Sequence, residues 1–478
     1  MRTIVFWGAG KIGKRMQNFW QQLGLQPDFF ADNREELSGT VCQGVRVISA
    51  EELKKLDKVF ILITCNETEA IRTQLLEYGI SGEDIFKGNT VWDMLSFLTL
   101  YRKEQLRWNK EKDRGKLPET NLSGNVLFDL QGGFVLGGVE AWAMQMAEVL
   151  SAQEVKSKFI IPDQLNDVCR YDDNDVIQLN YPADFMETDR CIKCLSEIHK
   201  CLPCNIVCNF PFYTYMAACL AKILWPREVN LIAIVHNDLE VYYERYSQMQ
   251  EIIDYCLVTC DAMEERFIQG GMPKEKIDRI AWEIPGVDTL NRTYSKAGQP
   301  IRIGYAGRIV INQKRMDVLI EIIKRLKEAE ADFQLELAGS GDYEEEMKEI
   351  LSDVSGQVHF RGCLAREQMA EFWKNQDIGI NCSDFEGRCI SKAESMAAGA
   401  VPVITDTSSA RDDVQDGYNG FVVPVGDVEG MVEKICYLYH HREQLEVMGR
   451  RSHEFIKKEN KESNVLQMWH KILKFQRM

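Results

Sequence analysis

The sequence predicts an α/β protein in which parallel sheets are covered by helices on both faces. Short, continuously apolar stretches alternate with helical stretches along most of the 478 residues. Such stretches are typical of strands buried on both sides, and their alternation with helices favours parallel pairing. Glycine-rich turns follow several predicted strands, where backbone N–H groups can face a ligand. A chain of this length forms roughly two to four domains.

The strands and helices group into three predicted domains and a linker. The strand–helix alternation restarts near residue 123 and again near residue 299. The linker holds more Lys and Arg than Asp and Glu. It is interpreted as a solvated helix and connector, with a foothold on anionic lipid headgroups or a docking face as the alternative. The predicted boundaries are 1–97, 98–122 for the linker, 123–298 and 299–478.

The first domain carries a G-x-G-x-x-G motif between its first strand and its first helix. Asp32 stands at the end of the second strand, nineteen residues after the last glycine of the motif. This spacing suits contact with the ribose of a dinucleotide. Because no proton-transfer groups are evident, we expect no catalysis there. Nucleotide sensing, oligomer contacts, a vestigial fold and a purely structural role stay open. The candidate nucleotide-binding residues are Gly8, Gly10, Gly13 and Asp32.

Composition argues for a soluble protein that is not exported. The formal net charge of −16 argues against a dedicated nucleic-acid binder. The N-terminus is unlike a signal peptide, and no apolar stretch approaches the length of a membrane span. Fifteen cysteines in such a chain indicate free thiols rather than disulfides. We expect a cytoplasmic protein, with the inner face of the membrane as an open second location.

Two patterns suggest metal binding but are predicted not to bind a metal. The C-x-x-C pairs at 191–194 and 201–204 are separated by only six residues, whereas zinc ribbons place a longer segment between the pairs. The D-x-D pattern at 173–175 lies in a polar run before a short strand and is interpreted as a solvated turn. We therefore predict no metal site.

The most informative stretch is FEGRCISKAESMAAGAVPV, residues 385–403. It is predicted to form a strand end, a glycine-containing turn, a helix and a buried strand. Glu386 then lies in a loop at the sheet edge, and Glu394 lies on the first turn of the helix. Free N–H groups at the helix start form an anion site between them, which suits a phosphate flanked by sugar hydroxyls. The alternative is a capping box, in which Glu394 only satisfies the helix start.

This stretch resembles the E-x7-E signature of glycosyltransferase family 4, a retaining group with the GT-B fold. Arg388 and Cys389 stand where that family often has an aromatic residue and a glycine. The resemblance covers about residues 123–470 and implies two Rossmann-like domains facing a cleft, with a terminal helix that crosses back onto the preceding domain. Here the smaller first domain precedes them. The matching segments are Glu386-Gly387, Glu394-Ser395-Met396-Ala397-Ala398-Gly399, Pro402-Val403 and DGYNGFVVPVGD at 416–427.

The resemblance assigns roles to four charged residues. Arg308 follows the strand at 301–307, and Lys314 starts the next helix, at positions where the family has an Arg and a Lys. These two are implied to neutralise the diphosphate of the donor in place of a metal, because the leaving group becomes negative as the glycosidic bond breaks. Glu386 is implied to hydrogen-bond the donor sugar, and Glu394 to bind the ribose hydroxyls.

Further positions are assigned by the same resemblance. His236 ends the strand at 230–236, where the family often has a His that contacts a sugar hydroxyl or stabilises positive charge through its carbonyl. Residues 285–288 resemble the family's N-G-V-D turn between the two halves. The other residues implied to contact the donor lie in glycine-containing loops and at a helix start: Gly137, Gly138, Gly339, Gly387, Arg388, Cys389 and Ile390.

The resemblance implies a retaining, metal-independent hexosyltransferase. Such an enzyme would move a sugar from a UDP- or GDP-sugar to a hydroxyl of a glycan or lipid-linked acceptor, in surface polysaccharide synthesis. Positioning of the acceptor oxygen against the anomeric carbon, with the leaving phosphate as base, would do much of the work. No cofactor besides the donor is required, and peripheral membrane contact stays open.

Other functions remain to be distinguished from this one. A phosphorylase or disaccharide-phosphate synthase on the same fold is one, and a nonenzymatic nucleotide-binding scaffold is another. An NAD-dependent oxidoreductase led by residues 1–97 is a third. The first domain itself also resembles the small Rossmann-like N-terminal domains of polysaccharide-biosynthesis proteins, through GVRVISAEELKKL at 44–56.

Overall fold

A computed structural model describes residues 2–112, 125–131, 133, 137–162, 175–182, 184–282, 284, 289–459 and 462–473. The N-G-V-D-like turn at 285–288 and most of the D-x-D pattern lie outside the described residues, as does the linker from 113 onward. The chain divides into two compact units. The first is Met1–Ala233 with Glu244–Asp254, and the second is Ile234–Tyr243 with Tyr255–Lys474.

The first unit begins with a six-stranded sheet. Its elements are β1 Thr3–Trp7, α1 Lys11–Gln22, β2 Phe29–Ala31, β3 Val41–Cys42, β4 Val45–Ile48, α2 Ala50–Leu53, β5 Val59–Ile63, α3 Thr68–Glu77, β6 Ile85–Lys87 and α4 Val91–Lys112. The strand order is β3-β4-β2-β1-β5-β6. All neighbours pair in parallel except β3 with β4. The predicted strand and helix pattern of residues 1–97 is therefore present.

A second parallel sheet follows in the same unit. Its elements are β7 Asn125–Asp129, α5 Gly138–Ser151, β8 Ser157–Ile161, β9 Val176–Gln178, α6 Glu187–Lys200, β10 Cys204–Cys208, α7 Tyr213–Leu224 and β11 Val229–Val235, followed by α8 Glu240–Gln248. The strands pair in the order β11-β10-β7-β8-β9. The central strands β7, β10 and β11 are almost wholly buried, as the sequence pattern predicted, whereas the edge strand β9 is half-buried.

Helix α4 crosses the domain boundary predicted between residues 97 and 98. Its first turns bury Val91, Met94, Leu95 and Leu98, and the helix contacts α7 of the second sheet. The apolar side of α4 packs between the two sheets of this unit, so the helix continues where the composition turns charged. The change of composition near residue 98 therefore falls within one helix.

The second unit contains the third sheet and a pair of strands that precedes it in the chain. Its elements are β12 Tyr255–Val258, α9 Asp261–Gln269, β13 Ile277–Arg279, β14 Ile301–Ala306, α10 Met316–Glu328, β15 Phe333–Ala338, α11 Glu344–Ile350, β16 Val358–Gly362, α12 Arg366–Lys374, β17 Ile378–Asn381, α13 Ile390–Ala397, β18 Val401–Thr405, α14 Ala410–Asp413, β19 Phe421–Val423, α15 Val428–His440, α16 Glu443–Glu459 and α17 Glu462–Leu473. Strands β12 and β13 pair with each other in parallel.

The third sheet is parallel throughout, in the order β16-β15-β14-β17-β18-β19. Its strands and α10 bury one large apolar core. Because the strands are parallel, the loops after β14, β15, β17 and β18 all leave at one edge of the sheet. Terminal helix α17 reaches back to β13, where Lys471 Nζ lies 2.7 Å from Asp278 Oδ2.

Within the described residues, no helix combines the length and the apolar character needed to cross a bilayer.

Candidate active site

Glu386 and Lys314 form the centre of the candidate site. Glu386 lies in the turn between β17 and α13, and Lys314 lies just before α10. Lys314 Nζ is 2.5 Å from Glu386 Oε1, and the two side chains are only 13% and 7% exposed. Burial lowers the pKa of Lys314, but the adjacent Glu386 carboxylate outweighs burial and the pKa is raised. The lysine therefore carries its charge inside a nearly closed site.

The two carboxylate oxygens of Glu386 have different surroundings. Oε1 also accepts hydrogen bonds from Ser383 Oγ at 2.7 Å and Asn381 Nδ2 at 3.5 Å. Within the described residues, Oε2 has no hydrogen-bond partner. The protein thus holds the carboxylate by one oxygen and leaves the other for a ligand. Asn381 and Ser383 were not predicted, although two polar residues at the end of an apolar strand were a usable signal.

Arg308 and Lys314 both lie in the loop between β14 and α10; Lys314 was predicted to start the helix, but α10 begins two residues later, at Met316. Arg308 is exposed, and its Nη2 donates to Gln313 Oε1 at 2.7 Å. Gln313 Nε2 in turn donates to the carbonyl oxygen of Phe385 at 3.3 Å. Gln313, which sequence reasoning missed, therefore joins Arg308 to the turn that carries Glu386. Since this partner is neutral, Arg308 has no acidic partner among the described residues.

The backbone of Gly387 packs closely against His236, next to the turn that carries Glu386. His236 follows β11 and is buried, which lowers its pKa to about 3, so the ring is neutral at physiological pH. A Cβ atom at Gly387 would overlap the carbonyl oxygen of His236 and would lie 3.0 Å from Thr259 Oγ1. Only glycine permits this approach, so the backbone of the turn directly contacts the carbonyl oxygen of His236, which belongs to the same compact unit as the turn.

Helix α13 starts directly behind this turn. Its first residue is Ile390, and the N-cap residue Cys389 makes no side-chain cap hydrogen bond. The N–H groups of the first turn therefore have no capping side chain, which suits an anion. Burial raises the pKa of the Cys389 thiol, which stays neutral. The predicted residues Gly387 to Ile390 thus occupy the turn and helix start as expected.

A buried cluster of charges lies beside the helix start. Lys392 Nζ is 2.9 Å from Asp413 Oδ2, and Arg388 Nη2 is 3.5 Å from Asp413 Oδ1. Burial raises the pKa of Asp413, but the Lys392 and Arg388 charges outweigh it and the pKa is lowered. Sequence reasoning placed Arg388 in the site and missed both Lys392 and Asp413.

Glu394 lies in the second turn of α13 and lines a cavity of about 230 Å³ with Arg366 and Leu290. Its Oε2 accepts a hydrogen bond from Trp373 Nε1 at 3.4 Å. Burial raises the pKa of Glu394 to about 7, although the Trp373 hydrogen bond and the Arg366 charge oppose this. The capping-box alternative is wrong, because the helix begins at Ile390 and Glu394 faces the cavity instead.

Two further groups of predicted residues have clear local positions. Gly339 has φ +138, and a Cβ there would overlap the carbonyl oxygen of Gly307, so the loops after β14 and β15 pack backbone to backbone. Gly137 is the N-cap of α5 and Gly138 is its first residue. Those two belong to the first compact unit.

Asp32 does not fit the ribose contact that its spacing predicted. Its Oδ1 accepts from Arg34 N and Nε at 3.1 and 2.8 Å, and its Oδ2 accepts from Arg34 Nη2 at 2.8 Å and Ala9 N at 2.9 Å. Burial raises its pKa, but the Arg34 hydrogen bond and the two backbone N–H bonds outweigh it and the pKa is lowered. A carboxylate accepts about four hydrogen bonds. A ribose would therefore have to displace Arg34 or Ala9, a residue of the glycine loop itself.

The described residues contain no group of three or more His, Cys, Asp or Glu side chains arranged for a metal ion. The C-x-x-C cysteines are buried free thiols: Cys191 and Cys194 lie on α6, Cys201 caps its C-terminus and Cys204 begins β10.

Two segments of the chain match known families. Residues 300–441 match the family described as "Glycosyl transferases group 1". Residues 1–86 match the family described as "C2185-like, N-terminal". The first match covers the sheet that carries Arg308, Lys314, Glu386 and Glu394.

Similar curated proteins are glycosyltransferases. The chain is 26% identical over 290 residues to sulfoquinovosyl transferase SQD2 of Arabidopsis thaliana, which covers 54% of each chain. It is 32% identical over 170 residues to a phosphatidyl-myo-inositol mannosyltransferase of Mycolicibacterium smegmatis, covering 33% of this chain and 42% of the relative. The chain spans about half the length of these relatives or less.

Similar solved structures share the fold at low sequence identity. A mutant of S. aureus TarM in complex with fondaparinux, α-GlcNAc-glycerol and UDP has a TM-score of 0.60 and 11% identity, covering 74% of this chain and 100% of that chain. The pneumococcal O-GlcNAc transferase GtfA in complex with UDP and GlcNAc has a TM-score of 0.59 and 15% identity, covering 73% and 98%. The predicted α/β architecture is thereby confirmed. The chain shares the GT-B fold of these structures, and its residues 300–441 match a glycosyltransferase family.

Proposed function

We propose that the protein is a retaining glycosyltransferase that moves a hexosyl group from a nucleoside diphosphate sugar to an acceptor hydroxyl. The observation that carries the proposal is the asymmetric environment of Glu386. One oxygen is held by Lys314, Ser383 and Asn381, and the other has no partner among the described residues. A carboxylate oriented in this way, beside a helix start with no capping side chain, suits a sugar hydroxyl next to a phosphate.

The proposed reaction needs positive charge where the diphosphate leaves. Lys314, Arg308 and the N–H groups at the start of α13 surround Glu386 and supply this charge. Glu394 would accept hydrogen bonds from the ribose hydroxyls in its cavity. The acceptor oxygen would attack the anomeric carbon from the side of the leaving group, and the departing phosphate oxygen would take the proton. The new bond then has the configuration of the old one, and no protein nucleophile takes part.

The acceptor is proposed to be a glycan or a lipid-linked sugar, in surface polysaccharide synthesis. The names of three curated relatives support this class. The curated relatives include a sulfoquinovosyl transferase and a phosphatidyl-myo-inositol mannosyltransferase, and another is named an amylovoran biosynthesis glycosyltransferase, from Erwinia amylovora. A protein acting on such acceptors would work in the cytoplasm at the inner face of the membrane, with the basic stretch of 98–122 as a peripheral contact.

A thermal-shift screen of UDP- and GDP-sugars tests the donor site. Through mass action, the preferred donor should raise the free energy of unfolding by about 2.7 kcal/mol at a concentration of one hundred times Kd. The melting temperature should rise accordingly. Arg308→Ala should weaken that shift. Arg325→Ala is the matched control, because Arg325 is an exposed arginine of the same sheet domain that pairs with Glu321 on α10. Equal shifts in both variants would contradict the proposed role of Arg308.

An NAD-dependent oxidoreductase is not favoured. The curated relatives are glycosyltransferases, and Asp32 is fully hydrogen-bonded within its own domain. Stabilisation of the protein by NAD alone, with no response to any nucleotide sugar, would reverse this conclusion. A nonenzymatic scaffold would bind a nucleotide sugar without turnover, so hydrolysis or transfer that is lost in Glu386→Ala excludes it.

A further inference from the structure

We propose that Asp413 is a positioning residue for the donor site, which fixes the turn from Glu386 to Cys389 through Arg388 and Lys392. The inference rests on the proposed glycosyl transfer, and it adds the part of the structure that sets the geometry of the turn. Asp413 itself lies at the end of α14 and is not placed in contact with the donor.

The carboxylate of Asp413 brackets the helix start on two sides. Oδ1 faces Arg388, which precedes the N-cap residue Cys389, at 3.5 Å. Oδ2 faces Lys392, in the first turn of α13, at 2.9 Å. Each oxygen therefore holds one side of the point where the turn becomes a helix. Arg388 and Lys392 are 12% and 1% exposed as side chains, so water competes little for these contacts.

Asp413 is itself held in place. Its carbonyl oxygen accepts a hydrogen bond from Asn419 Nδ2 at 3.1 Å. Lys392 Nζ also donates to the carbonyl oxygen of Ser409 at 2.7 Å, so the lysine contacts the segment before α14 as well. The neighbouring residue Asp412 lies 2.8 Å from Arg279 Nη2. The segment 409–413 is thus a fixed support against which the turn is held.

The energetics make a purely stabilising role a poor explanation for this cluster. Removing charges from water costs several kcal/mol per ion, and apolar residues of similar volume often replace a buried ion pair with no loss of stability. The cluster also places two cations at a helix N-terminus, where the helix dipole disfavours positive charge. With two cations and one carboxylate, it carries one surplus positive charge. The cost in stability is explained if the cluster holds the turn in position and supplies positive charge for the donor diphosphate.

The sequence shows why this chain needs such a support. Arg388 stands where the resembling family often has an aromatic residue. A nearly buried arginine at that position requires a charged partner, and Asp413 supplies it. The turn is thereby oriented by an ion pair.

The test separates positioning from stability by removing all three charges together, so that no buried charge is left unpaired. In Arg388→Met/Lys392→Met/Asp413→Leu, apolar side chains of similar size replace the whole cluster, and we expect a melting temperature near that of the wild type. We expect kcat with the best nucleotide-sugar donor to fall about tenfold or more, because a small misplacement at the reacting groups is costly. Hydrogen exchange of the backbone at 386–390 in the full-length, unliganded protein should become faster.

Arg388→Met provides a second variant, which keeps the Lys392–Asp413 pair and removes only the contact to the turn. It should show the same loss of kcat and the same faster exchange. Asp377→Asn is the matched control: Asp377 is a fully buried carboxylate that pairs with Arg302 at the opposite edge of the same sheet. This control should lower the melting temperature and leave exchange at 386–390 unchanged.

Wild-type kcat and wild-type exchange at 386–390 in both the triple variant and Arg388→Met would overturn the proposal. Failure of the proposed function would look different. If the wild type transferred no sugar from any donor, the exchange measurement would still report whether Asp413 holds the turn.

Discussion

Changing the pH from 8 to 6 should weaken binding of the nucleotide-sugar donor about tenfold. The pKa of Glu394 is raised to about 7 because the side chain is buried in its cavity. Glu394 would therefore be about 90% ionised at pH 8 and about 10% ionised at pH 6. Ribose hydroxyls donate to the ionised carboxylate, so binding at the lower pH requires loss of a proton. The expected loss is about 1.4 kcal/mol of binding free energy, and affinity should level off above pH 7.

Two other titratable groups near the donor site, His236 and Cys389, do not titrate in this range. Burial lowers the pKa of His236 to about 3 and raises that of Cys389, so both stay neutral between pH 6 and 8. The charged neighbours of Glu394 around the cavity are Arg366, Glu371 and Lys374. The intact nucleotide sugar must be used as the ligand, because the terminal phosphate of a free nucleotide itself ionises with a pKa of about 6.

Isothermal titration calorimetry in two buffers of different ionisation enthalpy measures both the affinity and the proton released. At pH 7, about half a proton should be released per donor bound. Glu394→Gln keeps the shape but cannot titrate, so its affinity should be independent of pH between 6 and 8. The reasoning is refuted if the wild-type affinity is flat over this range, or if Glu394→Gln shows the same slope as the wild type.

Three further results are expected. Ser383→Ala removes one of the donors to Glu386 and should lower kcat about tenfold, because a small misplacement at the reacting groups is costly; steady-state kinetics would show it, and an unchanged kcat would contradict it. Gly387→Ala should abolish the donor-induced thermal shift, because the added methyl group overlaps a carbonyl oxygen; Gly356→Ala, where the space is open, is the control, and equal shifts would contradict the reasoning. NAD should not stabilise the protein; stabilisation that disappears in Asp32→Asn would restore the dinucleotide site.

Much of the site could be predicted because parallel strands end at a common edge. Arg308 and Glu386 follow different strands of one sheet, and strand ends are readable from apolar runs that stop at polar or glycine residues. The ion pair between Lys314 and Glu386 links positions 72 residues apart. Its two residues were predicted for one site, although the contact itself was not.

Contacts that depend on side-chain packing could not be predicted in this way. A lysine on a helix usually lies in solvent, so the sequence does not mark Lys392 as a site residue. Lys392 belongs to the site because it is buried against the buried carboxylate of Asp413. Gln313 contacts Arg308 and the carbonyl oxygen of Phe385 from a left-handed backbone conformation, with φ 74, that glutamine rarely adopts. Asp32 shows the reverse case. Its spacing suits a nucleotide, but Arg34, two residues later, occupies its carboxylate, and local pairing prevailed over the motif.

The charges of the site bear on whether the proposed reaction needs a metal. Around the helix start lie four cations, Lys314, Arg308, Arg388 and Lys392, and two carboxylates, Glu386 and Asp413. These six groups together carry two surplus positive charges, which equals the two negative charges on the diphosphate of a nucleotide sugar. We propose that they take the place of a divalent cation, which they would also repel.

Activity should accordingly survive treatment with EDTA followed by removal of the chelator and its metal. It should instead fall steeply with added salt, because Arg308 is exposed and its attraction to the donor is screened. Arg308→Gln should flatten that salt dependence of KM, while Arg325→Gln should leave it unchanged. Loss of activity in EDTA that Mg²⁺ or Mn²⁺ restores would show that the side chains alone do not balance the leaving group.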